Sequence, residues 1–298
     1  MIVVPGSSNP LLSLKLASLL NAELAPVEIR KFPDGEKYVR IDAELKGETV
    51  VVVQTLAHKP DEYLIELSLL AEAAHGSEAS KVIAVIPYLA YARQDARFNP
   101  GEPISLKVVA SFLNTLPLSE IVTVDAHLHR LRDLAPFLKT KFTHLSASHL
   151  LAEHFVESHQ MPLEDLVLVG PDEESEPLVA HAAKHIKTEY TVFTKTRLSP
   201  TQVSITPKKA DLIEEKYVLL LDDIISTGGT MVEAAKHCIM LKARQIYAAC
   251  THAILVDSAL TKMHRAGIKD VVATDSIPSP ISRVSIASLI ASHLRRRE

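Results

Sequence analysis

Residues 217–230 read YVLLLDDIISTGGT, the pattern of a buried strand followed by a short loop and the first turn of a helix. The strand ends in two adjacent carboxylates, Asp222 and Asp223. The loop that follows offers backbone N–H groups and hydroxyls at the start of the helix, from Ser226, Thr227, Gly228, Gly229 and Thr230.

This loop has the chemistry of a phosphate site. The partial positive charge of a helix N-terminus favours an anion, and glycines let the backbone close around it without a Cβ in the way. Asp222 and Asp223 would repel a phosphate, so we expect them to face hydroxyls or a cation. Ribose hydroxyls next to a 5-phosphate meet that requirement. The alternative is an ordinary strand, an acidic turn and a helix capped by Thr227 or Thr230.

Elsewhere in the chain, short Val/Ile/Leu runs alternate with stretches of helical spacing. The predicted strands are 2–4, 49–53, 82–86, 121–124, 166–169, 218–221, 246–249 and 271–273. The predicted helices are 11–20, 62–74, 105–113, 147–158, 176–186, 230–241 and 259–265. Runs that are apolar on both faces suit strands covered on both sides, so the alternation predicts parallel sheets built from βαβ units.

The pattern occurs twice, because VTVDAH at 122–127 and LLLDDI at 219–224 each place an acid at the carboxyl end of a strand. We therefore predict an α/β protein of two similar domains, each a mainly parallel sheet flanked by helices. The predicted domains are residues 1–145 and 146–281, and residues 282–298 form a last helix that could pack back on the first domain. A length of 298 residues is sufficient for two domains of ordinary size.

The composition excludes several classes of protein. Hydrophobic residues make up 47% and charged residues 23%, which excludes global disorder, and a net charge of −4 gives no overall positive field for nucleic acid or an anionic membrane. The apolar runs are far shorter than the roughly 20 residues of a membrane-spanning helix. Cys238 and Cys250 match neither a disulfide framework nor a zinc pattern. With no secretory signal in MIVVPGSSNP, these observations predict a cytoplasmic protein without a nucleic-acid or membrane partner.

Three further stretches in the first half carry polar groups. FPDGE at 32–36 contains Pro-Asp-Gly, a strong turn signal by itself. PYLAYARQD at 87–95 follows a predicted strand and contains Arg93, whose guanidinium suits bidentate contact with phosphate oxygens. A solvated charged loop is the alternative there. VDAH at 124–127 lies at the end of another predicted strand.

Two stretches in the second half complete the set. GPDEES at 170–175 places Asp172 at the carboxyl edge of a predicted strand. TKTRLSP at 194–200 lies between two strand-like runs, the pattern of a hairpin-like flap. Lys195 and Arg197 are two apart, so on an extended segment both point to one side and can deliver two cations to a transferring phosphoryl group. The alternative is that they are exposed charges in a flexible loop.

The 217–230 stretch closely resembles the ribose-5-phosphate motif of type I phosphoribosyltransferases and of ribose-phosphate pyrophosphokinases, the enzymes that make phosphoribosyl pyrophosphate (PRPP). The other stretches resemble segments of the pyrophosphokinases, in that family's order and spacing. The chain is therefore identified as a member of that family, of an archaeal-type short form. The resemblance implies two type I phosphoribosyltransferase-like domains. It also implies transfer of the β,γ-diphosphoryl group of ATP to the C1 hydroxyl of ribose 5-phosphate, giving PRPP and AMP.

The resemblance further implies a role for each matching residue. Lys195 and Arg197 would be catalytic, and the loop of 222–230 would bind ribose 5-phosphate. His127 and Asp172 would bind Mg²⁺, although imidazole is an unusual ligand for this hard ion. The residues that would contact ATP, with the aromatic ring stacking on adenine, are Phe32, Asp34, Glu36, Arg93 and Gln94.

Several features of the sequence allow more than one interpretation. The usual bacterial version of 170–175 continues with paired glycines, and Glu173, Glu174 and Ser175 leave its backbone geometry open. The 32–36 loop resembles one that enters a neighbouring subunit's site, which predicts a homo-oligomer, at least a dimer. A phosphoribosyltransferase that consumes PRPP would leave the first domain unexplained. Loss of the flap cations would favour a catalytically silent subunit that regulates a partner. Lys195 and Arg197 are both present, which argues against this alternative.

Overall fold

The computed structural model describes residues 1–128, 134–197 and 203–296, without the side chains of 195–197 and 203–205. The chain divides into two units. Unit 1 contains Met1–Leu145 together with Ser285–Glu298, and unit 2 contains Ser146–Val284.

Unit 1 is built on a six-stranded parallel sheet in the order β2-β1-β5-β6-β7-β8. Two further strands, β3 and β4, form a separate antiparallel hairpin. The strands are β1 (Ile2–Pro5), β2 (Glu23–Leu24), β3 (Val27–Lys31), β4 (Lys37–Ile41), β5 (Thr49–Val53), β6 (Lys81–Ile86), β7 (Glu120–Val124) and β8 (Lys141–Leu145). The helices that precede the second unit are α1 (Pro10–Leu20), α2 (Pro60–Gly76) and α3 (Ser105–Leu113).

Strand β5 shows why these apolar runs become central strands. Val50 and Val52 pack into one core cluster with Leu67 and Leu70 of α2, and Val51 and Val53 point to the opposite face and are equally buried. A strand covered on both faces has no polar side to show, so its residues are a continuous apolar run.

Unit 2 contains a seven-stranded sheet in the order β11-β10-β9-β12-β13-β14-β15, parallel except for the β10–β11 pair. The strands are β9 (Leu166–Gly170), β10 (Glu189–Arg197), β11 (Val203–Pro207), β12 (Tyr217–Ile225), β13 (Gln245–Ala253), β14 (Ile268–Thr274) and β15 (Ser282–Val284). The helices of this unit are α4 (Ser148–His159), α5 (Glu176–Ile186), α6 (Gly229–Met240) and α7 (Ala259–Arg265).

The central strand of unit 2 packs on both faces. Val218 and Leu220 belong to a core cluster with Ala234 of α6, and Leu219 and Leu221 belong to a second cluster that includes residues of α4 and α5. The α/β fold with mainly parallel sheets is therefore confirmed. No helix in the described ranges is long and apolar enough to cross a membrane.

The prediction of a last helix over 282–298 is wrong about where that helix begins. Ser282–Val284 forms β15, because these residues pair with β14 at the edge of the second sheet. The helix α8 begins only at Ala287 and ends at Arg295. It belongs to unit 1, so the chain returns to its first unit after completing the second.

Helix α8 is fixed to unit 1 by polar contacts as well as by packing. His293 Nε2 lies 2.9 Å from Glu120 Oε1 at the beginning of β7. The Glu120 side chain is only 3% exposed and also accepts a hydrogen bond of 2.7 Å from Thr143 Oγ1. The Arg295 guanidinium donates to the Leu19 carbonyl of α1.

We predict that His293→Ala lowers the free energy of unfolding by about 1–3 kcal/mol, because it removes a hydrogen-bond partner from a buried carboxylate. Urea unfolding monitored by circular dichroism measures the change. Ser292→Ala, at the exposed neighbouring position of α8, is the control and should stay within about 0.5 kcal/mol of the parent protein. Equal stability of the two variants would contradict the role given to the His293–Glu120 contact.

Candidate active site

The carboxyl edge of the unit 2 sheet carries Asp222 and Asp223. The sequence predicts a strand that ends at these acids. Strand β12 instead continues to Ile225, because its pairing with β13 extends to Ala253. Successive residues of a regular strand point to opposite faces, yet the two carboxyl groups here lie close enough to form a hydrogen bond with each other. Asp223 is buried, whereas Asp222 is partly accessible. The Asp223 N–H donates to Asp222 Oδ1 over 3.0 Å.

The loop after β12 turns at Gly228, which caps α6 in the left-handed conformation with φ +76°. A Cβ at Gly228 would lie 3.2 Å from Met263 Cγ and 3.4 Å from the Ala259 carbonyl oxygen. This position therefore favours glycine for its left-handed conformation, and a Cβ would also be tight against Met263. Thr227, Gly229 and Thr230 are exposed around it, at the positive end of the helix dipole.

The segment after β13 supports this loop and carries no signal in the sequence. The Leu255 N–H donates to the Ile225 carbonyl, and the Val256 N–H donates to the Ser226 carbonyl, each over 3.1 Å. Leu255, Asp257 and Ser258 all have positive φ angles, between 50° and 60°. Such angles are unfavourable for residues with a Cβ, and they cluster here beside the phosphate-type loop.

The electrostatics of this edge are dominated by carboxylates. Desolvation of its carboxyl group, and then the charges of Asp223 and Asp172, raise the pKa of Asp222 well above its ordinary value. A cation or a hydroxyl-rich ligand would relieve this repulsion, whereas an anion would increase it. The anion site predicted from the sequence is thus the backbone loop at the start of α6, beside the acids.

Asp172 lies two residues after the end of β9 and caps the turn that follows. Its Oδ1 accepts the N–H groups of Glu174 (3.0 Å) and Ser175 (3.2 Å), and Ser175 Oγ donates to the Asp172 carbonyl over 2.6 Å. The segment Glu173–Ser175 is therefore a capped 3₁₀ turn leading into α5. Gly170 makes room for it, since a Cβ there would lie 2.3 Å from Ser175 Oγ.

In unit 1, the tip of the β3–β4 hairpin holds the predicted adenine-binding residues. The Phe32 N–H donates to the Glu36 carbonyl over 2.8 Å, and the turn passes through Gly35 at φ +97°. Phe32 is 40% exposed, and Asp34 and Glu36 are also exposed. The Arg30 guanidinium lies 4.9 Å from the centre of the Phe32 ring.

Arg93 and Gln94 lie in the loop between β6 and α3. Arg93 is exposed, and the Gln94 side chain contacts the Ser105 hydroxyl at the first turn of α3. The Leu106 N–H donates to the Gln94 carbonyl over 3.3 Å. Both residues are thus held near a helix start that follows the carboxyl end of a parallel strand.

His127 follows β7 in unit 1 and is partly accessible. The residue that begins this segment, Asp125, has φ +36°. The Ala126 N–H donates to His144 Nε2 over 2.9 Å, so an imidazole from β8 fixes the backbone between Asp125 and His127. Nothing in the sequence indicates this role of His144, because 18 positions separate it from Ala126.

Lys195 and Arg197 lie two positions apart in β10. In the backbone register, Lys195 pairs with Ile205 of β11 and Arg197 pairs with Val203. Their side chains, and residues 198–202 of the flap, lie outside the described part of the structure. Within the described part, no group of three or more His, Cys, Asp or Glu has the arrangement of a metal site.

Comparison with known proteins agrees with this architecture. The model described as the N-terminal domain of ribose phosphate pyrophosphokinase matches residues 1–116, and the phosphoribosyl transferase domain model matches residues 144–285. The fold and site thus define a protein built from two domains of the phosphoribosyltransferase class.

Individual relatives identify the family within this class. The chain is 43% identical to the ribose-phosphate pyrophosphokinase of Methanopyrus kandleri, over 98% of this chain and 97% of the relative. It is 39% identical to ribose-phosphate pyrophosphokinase 2 of Archaeoglobus fulgidus, over 98% and 99%. The solved phosphoribosylpyrophosphate synthetase of Mycobacterium smegmatis superposes with a TM-score of 0.86 at 28% identity, covering 99% and 97% of the two chains. The chain belongs to the ribose-phosphate pyrophosphokinase family, as its motifs predict.

We predict that Asp222→Asn raises the melting temperature at neutral pH. The pKa of Asp222 is higher in the folded protein than in the unfolded chain. This carboxyl therefore lowers stability increasingly as the pH rises from its pKa in the unfolded chain toward its pKa in the folded protein. It has no such effect below the ordinary aspartate pKa of about 3.9. The gain should shrink on acidification toward that value. Thermal unfolding across pH measures it.

The control for Asp222→Asn is Asp211→Asn, an exposed position in the same unit, which should leave the melting temperature nearly unchanged. A gain that is independent of pH, or a loss of stability at neutral pH, would contradict the destabilising role of the Asp222 charge.

Proposed function

We propose that this chain transfers the β,γ-diphosphoryl group of ATP to the C1 hydroxyl of ribose 5-phosphate. The hydroxyl oxygen forms a bond to the β-phosphorus, AMP leaves with the oxygen that bridged the α- and β-phosphorus atoms, and PRPP is the product. The observation that supports this most strongly is the loop at the start of α6 beside Asp222 and Asp223. It combines an anion site with hydrogen-bond acceptors, as a sugar phosphate requires.

In this proposal the loop and the acids divide the work on ribose 5-phosphate. The backbone and hydroxyls of Ser226, Thr227, Gly228, Gly229 and Thr230 hold the 5-phosphate. Asp222 and Asp223 accept hydrogen bonds from the ribose hydroxyls, which orients the sugar. The exposure of Thr227 and Thr230 at the helix start supports this role.

ATP is proposed to use residues of unit 1. Phe32 stacks on the adenine, Asp34 and Glu36 accept hydrogen bonds, and Arg93 with Gln94 contacts the nucleotide. The Phe32 ring at the hairpin tip is 40% exposed, so it is accessible for stacking on a purine, which supports this assignment.

Catalysis is proposed to rest on Lys195 and Arg197. Phosphoryl transfer depends chiefly on in-line positioning and on neutralising charge, and needs no covalent intermediate with the protein. Two cations at positions two apart in one strand suit this task, because both charges are then available to one transferred group.

We further propose that Mg²⁺ takes part, with His127 and Asp172 as protein ligands. This ion usually keeps several waters and takes one or two carboxylates plus substrate phosphates, so the lack of a three-ligand cluster among the described residues does not conflict with it. When bound, the ion would neutralise charge on the diphosphoryl oxygens. Asp172 already accepts two backbone N–H groups on Oδ1, which fixes the orientation of its carboxylate.

The proposal extends to the assembly and the compartment. The hairpin tip at 32–36 supports a homo-oligomer, at least a dimer, in which the tip reaches a neighbouring subunit's ATP. Cys238 and Cys250 are free and buried, which is compatible with a reducing, cytoplasmic compartment.

Release of AMP with ribose 5-phosphate as sole acceptor tests the function, with and without Mg²⁺. We expect AMP and PRPP in equal amounts, and only with the ion present. Diphosphate release from PRPP in the presence of a base, without AMP formation from ATP, would instead identify a phosphoribosyltransferase. ATP binding without any turnover would favour a silent regulatory subunit.

We predict that Thr230→Val raises the KM for ribose 5-phosphate by about tenfold, with a smaller change in the KM for ATP. Valine keeps the shape of threonine but removes a donor to a charged phosphate, and such a hydrogen bond contributes about 1.5–3 kcal/mol. Thr261→Val, on the exposed face of α7, is the matched control. Equal changes in both KM values would count against the phosphate assignment.

We also predict that Lys195→Ala lowers kcat by about 10²–10³ while equilibrium binding of both substrates stays nearly intact. A cation that meets the diphosphoryl group mainly in the transition state affects kcat and kcat/KM together. Single-turnover kinetics with Mg²⁺ and both substrates saturating measure it. A near-normal kcat would remove the flap from the mechanism.

A further inference from the structure

The β3–β4 hairpin has two faces with different partners. In the antiparallel register Lys31 lies opposite Lys37 and Arg30 lies opposite Tyr38, so these two pairs point to opposite faces. On the second face the Arg30 guanidinium lies 4.1 Å from the centre of the Tyr38 ring, and the Phe32 ring lies 5.8 Å from it. The face with the lysines is turned toward helix α2.

The two lysines meet two glutamates of α2. Lys31 Nζ lies 2.9 Å from Glu62 Oε2, and Lys37 Nζ contacts the carboxylate of Glu66 and lies 4.0 Å from Glu62 Oε2. Lysines directly opposite each other in a hairpin repel, and so do glutamates four apart on a helix. Each like-charged pair is therefore stabilised only while the hairpin is docked on α2 in this register.

The two ion pairs differ sharply in burial. The side chains of Lys31 and Glu62 are 49% and 37% exposed, whereas those of Lys37 and Glu66 are 10% and 0% exposed. An exposed pair contributes little, but breaking a buried one leaves an uncompensated charge. The docking of the hairpin therefore depends mainly on Lys37 and Glu66.

Glu66 is held by the sheet as well. Its carboxylate accepts the Ser7 N–H (2.7 Å), the Ser7 hydroxyl (2.8 Å) and the Gln54 side-chain amide (2.8 Å). Ser7 and Gln54 follow β1 and β5 at the carboxyl edge of the unit 1 sheet. Gly6 leaves space for this arrangement, since a Cβ there would lie 2.1 Å from Gln54 Oε1. The carboxylate thus links the hairpin to a rigid edge.

We propose that the buried Lys37–Glu66 pair is a positioning device for the nucleotide, which fixes the hairpin so that its opposite face presents Phe32 for stacking on the purine of ATP. This rests on the proposed function, because it takes the 32–36 tip as the adenine contact. Lys37 and Glu66 touch no substrate and act only through the position of the tip.

The test compares Lys37→Met with Lys31→Met in the full-length protein. Both variants remove one lysine charge from the same rung and the same face. We expect Lys37→Met to raise the Kd and the KM for ATP by about 10- to 100-fold, since a displaced contact group costs that much, while the KM for ribose 5-phosphate stays within about twofold. Lys31→Met should behave like the parent protein.

A general loss of structure would raise both KM values, so the selective change in ATP binding separates positioning from stability. Lys37→Gln keeps a donor toward Glu66 and should shift the KM for ATP in the same direction by less. If Lys37→Met does not fold, Lys37→Gln decides. An unchanged Kd for ATP in the folded variant, or equal effects of the substitutions at 31 and 37, would overturn the proposal.

The proposed function and the positioning role fail differently. A parent protein that binds ATP but releases no AMP contradicts the proposed reaction, and the Kd for ATP in calorimetry still reports on Lys37. A parent protein that makes PRPP with a Kd for ATP insensitive to Lys37 contradicts only the positioning role.

Discussion

Parallel strand pairing brings the carboxyl ends of neighbouring strands to the same edge of a sheet, and both candidate sites depend on this constraint. In unit 2 it brings Asp172, after β9, into the electrostatic range of Asp222 in β12, although 50 positions separate them. In unit 1 it gathers the segments after β1 and β5 around Glu66. Residues far apart in sequence meet because the crossovers all return the chain in one direction.

The same edge collects features that oppose stability. Desolvation and two neighbouring carboxylates raise the pKa of Asp222, and the supporting segment holds Leu255, Asp257 and Ser258 at positive φ. Leu255 packs against the core cluster of unit 2, but the side chains of Asp257 and Ser258 are exposed and have no such role. The concentration of these features beside the start of α6 is typical of a ligand site, because a bound cation or sugar hydroxyls would compensate for the charge repulsion between the acids.

The sequence predicts most of the parallel framework, because strands buried on both faces leave continuous apolar runs and the helices keep their period. It also predicts a turn between the strand and the helix of 217–230, because glycine marks such turns. The structure holds Gly228 at a positive φ that glycine favours. The β3–β4 strands escape prediction because their alternating charged residues, as in VEIRK, are typical of exposed segments. The extension of β12 and the strand at 282–284 depend on pairing partners distant in sequence. The Lys37–Glu66 contact has the same origin.

Helix α8 belongs to unit 1 although it follows unit 2 in the chain. During synthesis on a ribosome, the first 145 residues emerge without the helix that covers α1 and contacts Glu120. Unit 2 has its segments in one continuous stretch and can complete its fold first, whereas unit 1 waits until α8 has been synthesised. The nascent first half therefore exposes apolar surface for the longest time, and chaperone contact and premature chain termination would affect it most.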